Sequence, residues 1–352
     1  MLLKASEQMK DAKMIIQAGD LSYELKLGSL NLKKLVGQMQ LPAEEIMIYV
    51  QFGNVPKEQE EQLNALLRGK GIDPLIKPVY YELAASAKGV MLHSEQVDHI
   101  YQEQILILPF KADRSELTAI KIDSDTGKIQ FAPALFQPMS NDSTMVILKR
   151  SGNGVYTVIR SDLELSDITR HWAKAEIELL TSKLIVQGNH QGRFEPNKPV
   201  TRAEFVAMLV RALGLDGPRE TGTFADIDPA SWYSDDVELA VKLGLVQGFE
   251  NQTFRPYSLI TRQEMAVMAA RAWTSVEQVR PKPAEGSILT RFTDEDSLSE
   301  WSRDAISLLV QQNIMQGIPG SRFAPDSSAS RAEAAVILTR LLQNIQYLDE
   351  IE

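Results

Sequence analysis

Three arginines recur inside one tetrad: Thr201-Arg202-Ala203-Glu204, Thr261-Arg262-Gln263-Glu264 and Ser330-Arg331-Ala332-Glu333. The outer residues of each tetrad form a capping box, in which the hydroxyl accepts from the N3 amide and the Glu reaches back to the N-cap amide. Thr201, Glu204, Thr261, Glu264, Ser330 and Glu333 therefore read as helix starts. Arginine at N1 opposes the helix macrodipole at a cost of roughly a few tenths of a kcal/mol, so some further contact must favour it. Two contacts are open. One is an ion pair with the acidic residue of the same repeat, Asp167, Asp226 or Asp294. The other is a carboxylate ligand, received by the guanidinium fork and by free backbone N–H groups beside it. Trp172, Trp232 and Trp301 recur in step with the arginines. The default for an aromatic opening an amphipathic helix is a core anchor, and the alternative is an exposed indole that stacks on a sugar ring. Gly188, Gly248 and Gly317 also recur, either as helix C-caps or as points where a ligand approaches the backbone.

The spacing ties these residues into repeats. Trp to Gly, Gly to Phe and Phe to Arg are separated by 16, 6 and 8 residues in all three copies, through Phe194-x-Pro196, Phe254-x-Pro256 and Phe323-x-Pro325. The period is 60 residues from Trp172 to Trp232 and 69 from Trp232 to Trp301, the extra length falling in the polar, Pro-containing link around Thr274 to Arg291. Each repeat predicts a helix beginning at or just before the Trp, ending at the Gly, then a loop and a second helix from the Thr or Ser. Ala173, Ile177, Leu180 and Leu184 give the first helix an apolar stripe of helical period. Two helices cannot bury two such faces alone, so the three units must pack together.

The first 160 residues differ. Lys13 to Gln17, Leu21 to Leu27, Ile46 to Phe52, Ile105 to Phe110, Leu117 to Ile122, Lys128 to Ala132, Met145 to Lys149 and Val155 to Arg160 predict strands. Helices are expected over Asn31 to Met39 and from Pro56, as a first helical residue, to Arg68. The fold class is α+β, with boundaries at 1–162, 163–216, 217–276 and 277–346. Asp123 and Asp125 suit a hairpin turn with Gly127 at its special position better than a calcium loop.

Composition narrows the chemistry. The 352 residues carry 47 acidic and 37 basic side chains, net −10, and no cysteine. A basic nucleic-acid footprint, disulfides, thiolate metal sites and cysteine nucleophiles are excluded. His93, His99, His171 and His190 show no i, i+4 pairing for a metal, and no cofactor is expected. No apolar run reaches the 18 or so residues needed to span a bilayer. The N-terminus lacks the pattern of a secretory signal, so Met1 reads as the start of a fragment.

The whole series of Phe-x-Asp, Trp, Gly, Phe-x-Pro and Thr-Arg-Ala-Glu resembles the S-layer homology domain, in tandem over about residues 163 to 345. That resemblance implies a pseudo-threefold trefoil around a central helical bundle. Its inter-module grooves would bind a pyruvylated secondary cell-wall polysaccharide, carrying pyruvylated N-acetylmannosamine, on the outside of a Gram-positive cell. Ligand contacts would fall on Arg202, Arg262, Arg331, Gly188, Gly248 and Gly317, with Asp167, Asp226, Asp294, Trp172, Trp232 and Trp301 matching the family's Asp and Trp positions. Leu165 stands for Phe, Gln263 for Ala and Ser330 for Thr, and module three has a longer Asp294 to Trp301 spacing, so three equivalent grooves do not follow. Residues 1–160 resemble the β-rich segment that precedes such modules in large bacilli surface proteins.

Three functions follow for testing. The leading one is a non-enzymatic cell-wall anchor. A glycan hydrolase in the first domain would need paired carboxylates, yet Glu44, Glu45, Glu58, Glu60, Glu61 and Glu82 include no distinguishable acid and nucleophile. The third is a contact module for other surface-layer proteins.

Overall fold

A computed structural model of the chain describes residues 12–26, 36–37, 40–93, 102–150, 152–161, 164–217, 222–277 and 288–351. The chain divides into two compact units, Met1–Asp162 and Leu163–Glu352. The fold is α+β, β-rich in the first unit and helical in the second.

The first unit holds two antiparallel sheets. One has the order β1 (Lys13–Ala18), β2 (Leu21–Lys26), β6 (Gln102–Leu108), β10 (Thr144–Arg150), β9 (Ala134–Pro138). The other runs β3 (Met47–Asn54), β4 (Val79–Ala87), β11 (Gly154–Arg160), β7 (Leu117–Ile122), β8 (Ile129–Phe131), with β5 (Val90–His93) on β4. One shared core joins them, drawing Tyr23, Leu106 and Val146 from the first sheet and Tyr81, Ala119 and Tyr156 from the second. Strands β4, β5 and β9 were absent from the sequence expectation. β4 reads Val-Tyr-Tyr-Glu-Leu-Ala-Ala-Ser-Ala, and its alanines carry little strand propensity although most of the strand is buried. Pro56 is the N-cap of α1 (Lys57–Gly69) rather than its first residue. Asp123 accepts from the Asp125 and Thr126 amides at 2.9 Å, and Gly127 takes φ 67°, closing the β7–β8 hairpin. Most of the expected helix at Asn31 to Met39 lies outside the described residues, with helix seen at 36–37.

The second unit contains α2 (Lys174–Ser182), α3 (Arg202–Ala212), α4 (Ser234–Lys242), α5 (Arg262–Glu277), α6 (Glu300–Gln311) and α7 (Arg331–Asn344). All three capping boxes form, the side chains of Thr201, Thr261 and Ser330 each accepting from the Glu amide at N3. The first helix of each module is shorter than its periodicity suggested. It ends at Ser182, Lys242 or Gln311, and the left-handed position just beyond is taken by Leu184, Gly244 or Asn313 (φ 59°, 72° and 56°). Gly188, Gly248 and Gly317 are therefore not C-caps. A Cβ on Gly248 would collide with the Phe224 ring, and one on Gly317 would meet the Phe292 ring at 2.8 Å. In module one Leu165 replaces the ring and would stand 2.6 Å from a Cβ on Gly188. The close approach that demands glycine comes from the module's own apolar side chain together with a loop carbonyl, Thr253 at 2.8 Å from a Cβ on Gly248 and Arg322 at 2.9 Å from one on Gly317.

The helices pack in a cyclic exchange. The second helix of each module lies against the first helix of the next: α3 on α4, α5 on α6, and α7 back on α2. Helix α7 also touches α3 and α5, burying Ala334, Ala335 and Leu338. Phe194, Phe254 and Phe323 are wholly buried, each stabilising by about 1.5–3 kcal/mol. Among the described residues no helix is long and apolar enough to cross a membrane.

Candidate functional site

The acidic residue of each repeat organises its loop. Asp167 accepts from the Phe194 and Glu195 amides at 2.8 Å, Asp226 from Phe254 and Arg255 at 2.7 Å, and Asp294 from Phe323 and Ala324 at 2.7 and 2.8 Å. The middle residue of each Phe-x-Pro, Glu195, Arg255 or Ala324, stands in the left-handed region at φ 60°, 59° and 56°. Such a conformation costs of order 1–3 kcal/mol for a non-glycine residue, and the carboxylate clamp holds it. The longer link to Trp301 leaves Asp294 in the same role. Burial would raise the Asp167 carboxyl, but the amide bonds from Phe194 and Glu195 outweigh it and hold the group below the usual carboxylate range.

The arginines are not paired with these aspartates. Each reaches across a module junction to the next capping glutamate. Arg202 donates to Glu264 at 2.8 Å and to the carbonyls of Phe254 and Gln247. Arg262 meets Glu333 at 2.6 Å and the carbonyls of Phe323 and Gln316. Arg331 binds the carbonyls of Phe194 and Gln187, with Glu204 more distant at 3.9 Å. Arg202 and Arg262 are 4% and 5% exposed, so these two forks form the floor of the junctions rather than an open surface. Burial pulls the guanidinium pKa of Arg202 and Arg331 down from the ordinary arginine range, against the opposing pull of Glu264 and Glu204 respectively.

The free N–H groups expected at the helix starts are also occupied. Arg202 and Ala203 amides donate to the carbonyls of Ser258 and Pro256, Arg262 and Gln263 to Ser327 and Pro325, and Arg331 and Ala332 to Lys198 and Pro196. The loop of one module thus satisfies the orphan donors of the preceding module's second helix. Gln263 is buried as well, and its side chain bonds to Asp326 at 2.6 Å and Ser302 at 3.1 Å, replacing the small residue of the other modules with a polar tie between modules two and three.

Trp172, Trp232 and Trp301 are 64%, 60% and 58% exposed, which overturns their default reading as core anchors. Trp172 and Trp232 precede helices α2 and α4, whose buried faces present Ile177 and Leu180 or Val237 and Ala240 instead. Two of the tryptophans line cavities. One cavity, of about 390 Å³, is walled by Arg262, Gly317, Glu333, Arg340 and Trp172. The other, of about 400 Å³, is walled by Gln187, Glu204, Arg211, Arg331 and Trp232. Each uses all three modules: a floor arginine from one, the second helix of the next, and the tryptophan of the one after. Arg211, Arg340 and the equivalent Arg271 were not singled out in the sequence. They stand seven residues beyond the capping glutamates, a spacing that places them on the same helix face two turns along.

An S-layer homology domain profile matches residues 164–206, 223–266 and 291–335. The chain is 35% identical over 223 residues to an amylopullulanase of Thermoanaerobacterium thermosulfurigenes, covering 63% of this chain and 11% of that protein. It is 37% identical over 186 residues to the exoglucanase XynX of Acetivibrio thermocellus, covering 53% and 17% respectively. It is 32% identical over 171 residues to the S-layer protein sap of Bacillus anthracis, covering 48% and 20%. These matches therefore span no more than a fifth of those relatives. S-layer homology domains are cell-wall anchoring modules of surface proteins, not catalysts.

Proposed function

We propose that this chain, whose C-terminal half carries three S-layer homology domains in tandem, anchors a surface protein to the bacterial cell wall without catalysing a reaction. Its modules, at 163–216, 217–276 and 277–346, would form a trefoil whose grooves bind an anionic, pyruvylated secondary cell-wall polysaccharide outside the cell. The observation that carries this reading is the pairing of an exposed indole with arginine in grooves built from all three modules. An indole face suits the apolar side of a pyranose, and a guanidinium suits a ketal carboxylate. Within this reading Trp172, Trp232 and Trp301 touch the sugar. Arg202, Arg262 and Arg331 form the groove floors, Asp167, Asp226 and Asp294 hold the loops, and Gly188, Gly248 and Gly317 keep the groove walls thin.

The test is co-sedimentation with purified wall polymer, native and stripped of its pyruvate. Substituting the buried arginines would confound binding with folding, so the exposed tryptophans are the better probe. The chain should bind the native polymer and lose most binding when all three tryptophans become alanine, with its unfolding temperature nearly unchanged. Equal binding to stripped polymer would refute the anionic ligand, and undiminished binding by the triple variant would refute the grooves.

A second reading gives residues 1–162 a contact with other surface-layer proteins. It draws on Met47, Tyr49 and Met91, all exposed, with Met47 and Met91 both paired to Ser86 across neighbouring strands. Sizing of the chain alone and with a surface-layer protein tests it, an unchanged elution excluding the contact.

A further inference from the structure

Each of the two cavities has one arginine on its wall in addition to the arginine of its floor, and the wall arginines of the three repeats are not equivalent. Arg211 is held by Asp236 at 3.3 Å, with its guanidinium 5.8 Å from the centre of the Trp232 ring. Asp236 comes from the first turn of α4, on the neighbouring module. The floor of that groove, Arg331, has Glu204 at 3.9 Å, with the negative charges of Glu195 and Asp167 acting on it from further off. Every cation there has an internal counterion.

Arg340 occupies the corresponding place beside Trp172. Among the described residues it has no carboxylate within 4.0 Å, while the floor of its groove, Arg262, is neutralised by Glu333. Among the described residues, Arg340 therefore adds to this cavity of about 390 Å³ a positive charge with no carboxylate within ion-pair distance. Arg271, the third member, donates to the side-chain carbonyl of Gln247 at 3.0 Å, so its fork is already engaged by a neutral acceptor.

We propose that the grooves are unequal: the Arg340, Arg262 and Trp172 groove is the principal site for an anionic sugar, and Asp236 keeps the Arg211 groove closed to anions by acting as its built-in counterion. This rests on the wall-polymer reading and specifies which site within it selects for charge. A ligand carboxylate entering beside Arg340 finds a fork with no competing anion. One entering beside Arg211 must compete with Asp236 for that fork.

Titration calorimetry of the full chain with pyruvylated N-acetylmannosamine, and with unmodified N-acetylmannosamine as the neutral comparison, tests this. Wild type should show a tight site selective for the pyruvylated sugar. Arg340→Ala and Arg340→Gln should each weaken that site by about 10- to 100-fold, the range expected for a charge-assisted contact, with unchanged unfolding temperature. Asp236→Asn should add a further site for the pyruvylated sugar. Wild-type affinity in both Arg340 variants overturns the assignment of the principal site, and an unchanged stoichiometry in Asp236→Asn overturns the counterion. If wild type binds neither sugar, the wall-polymer reading fails and the inequality of its grooves fails with it.

Discussion

Gly248 shows how a residue with no side chain fixes the loop of a module. The Phe224 ring and the Thr253 carbonyl, the latter at 2.8 Å, occupy the space of its missing Cβ. Gly248→Ala should destabilise the second unit by about 1–3 kcal/mol, as overpacking does elsewhere. Gly192→Ala, at φ 68° with nothing within 4 Å, should cost only the backbone strain of a left-handed residue, about 1 kcal/mol. Chemical denaturation of the two variants separates the causes, and equal losses would remove the steric argument. Asp167 adds a titration. Its folded pKa lies below the unfolded value of about 3.9, so its contribution is complete above that pH and is lost as pH falls through the folded pKa. Unfolding midpoints between pH 5 and pH 2 should therefore fall less steeply in Asp167→Asn than in wild type. Parallel slopes would exclude Asp167 as a source of acid sensitivity.

At the scale of the element, each second helix is initiated by its own hydroxyl and held by a foreign arginine. Glu264 accepts from the Thr261 amide at 2.9 Å and from Arg202 at 2.8 Å, so one carboxylate serves a cap and a module junction. Thr261→Ala should cost about 1 kcal/mol. Glu264→Ala strands a buried guanidinium and should cost about 3–5 kcal/mol. A double-mutant cycle with Arg202→Ala measures the junction directly, and a coupling energy near zero would show that the pair adds nothing. The capping boxes were legible because all their partners lie within four residues. The arginine's partner was not, since Arg202 and Glu264 stand 62 positions apart and no local pattern links them. The same limit explains Trp172, Trp232 and Trp301: helical period marks a residue at a helix start, but whether anything covers it depends on the neighbouring module. Among the strands, β7 was read to the residue from its β-branched run, whereas β4 was missed because burial, not propensity, places its alanines.

At the scale of the whole second unit, three repeats become one object through equivalent backbone contacts made in rotation. Backbone amides at Arg202, Arg262 and Arg331 donate to modules two, three and one in turn, so the last module returns to the first. The repeat count and its register were evident from the residues themselves, whereas closure was expected only through the family resemblance, because closure is a relation between the ends of the array. That closure also sets a schedule. Arg331 bonds with Phe194 and Gln187, residues 137 and 144 positions earlier, so module one receives the partner of its own loop only after nearly all the rest has been made. A nascent chain holds that junction unfinished until α7 has been made, so the three repeats close together rather than one by one.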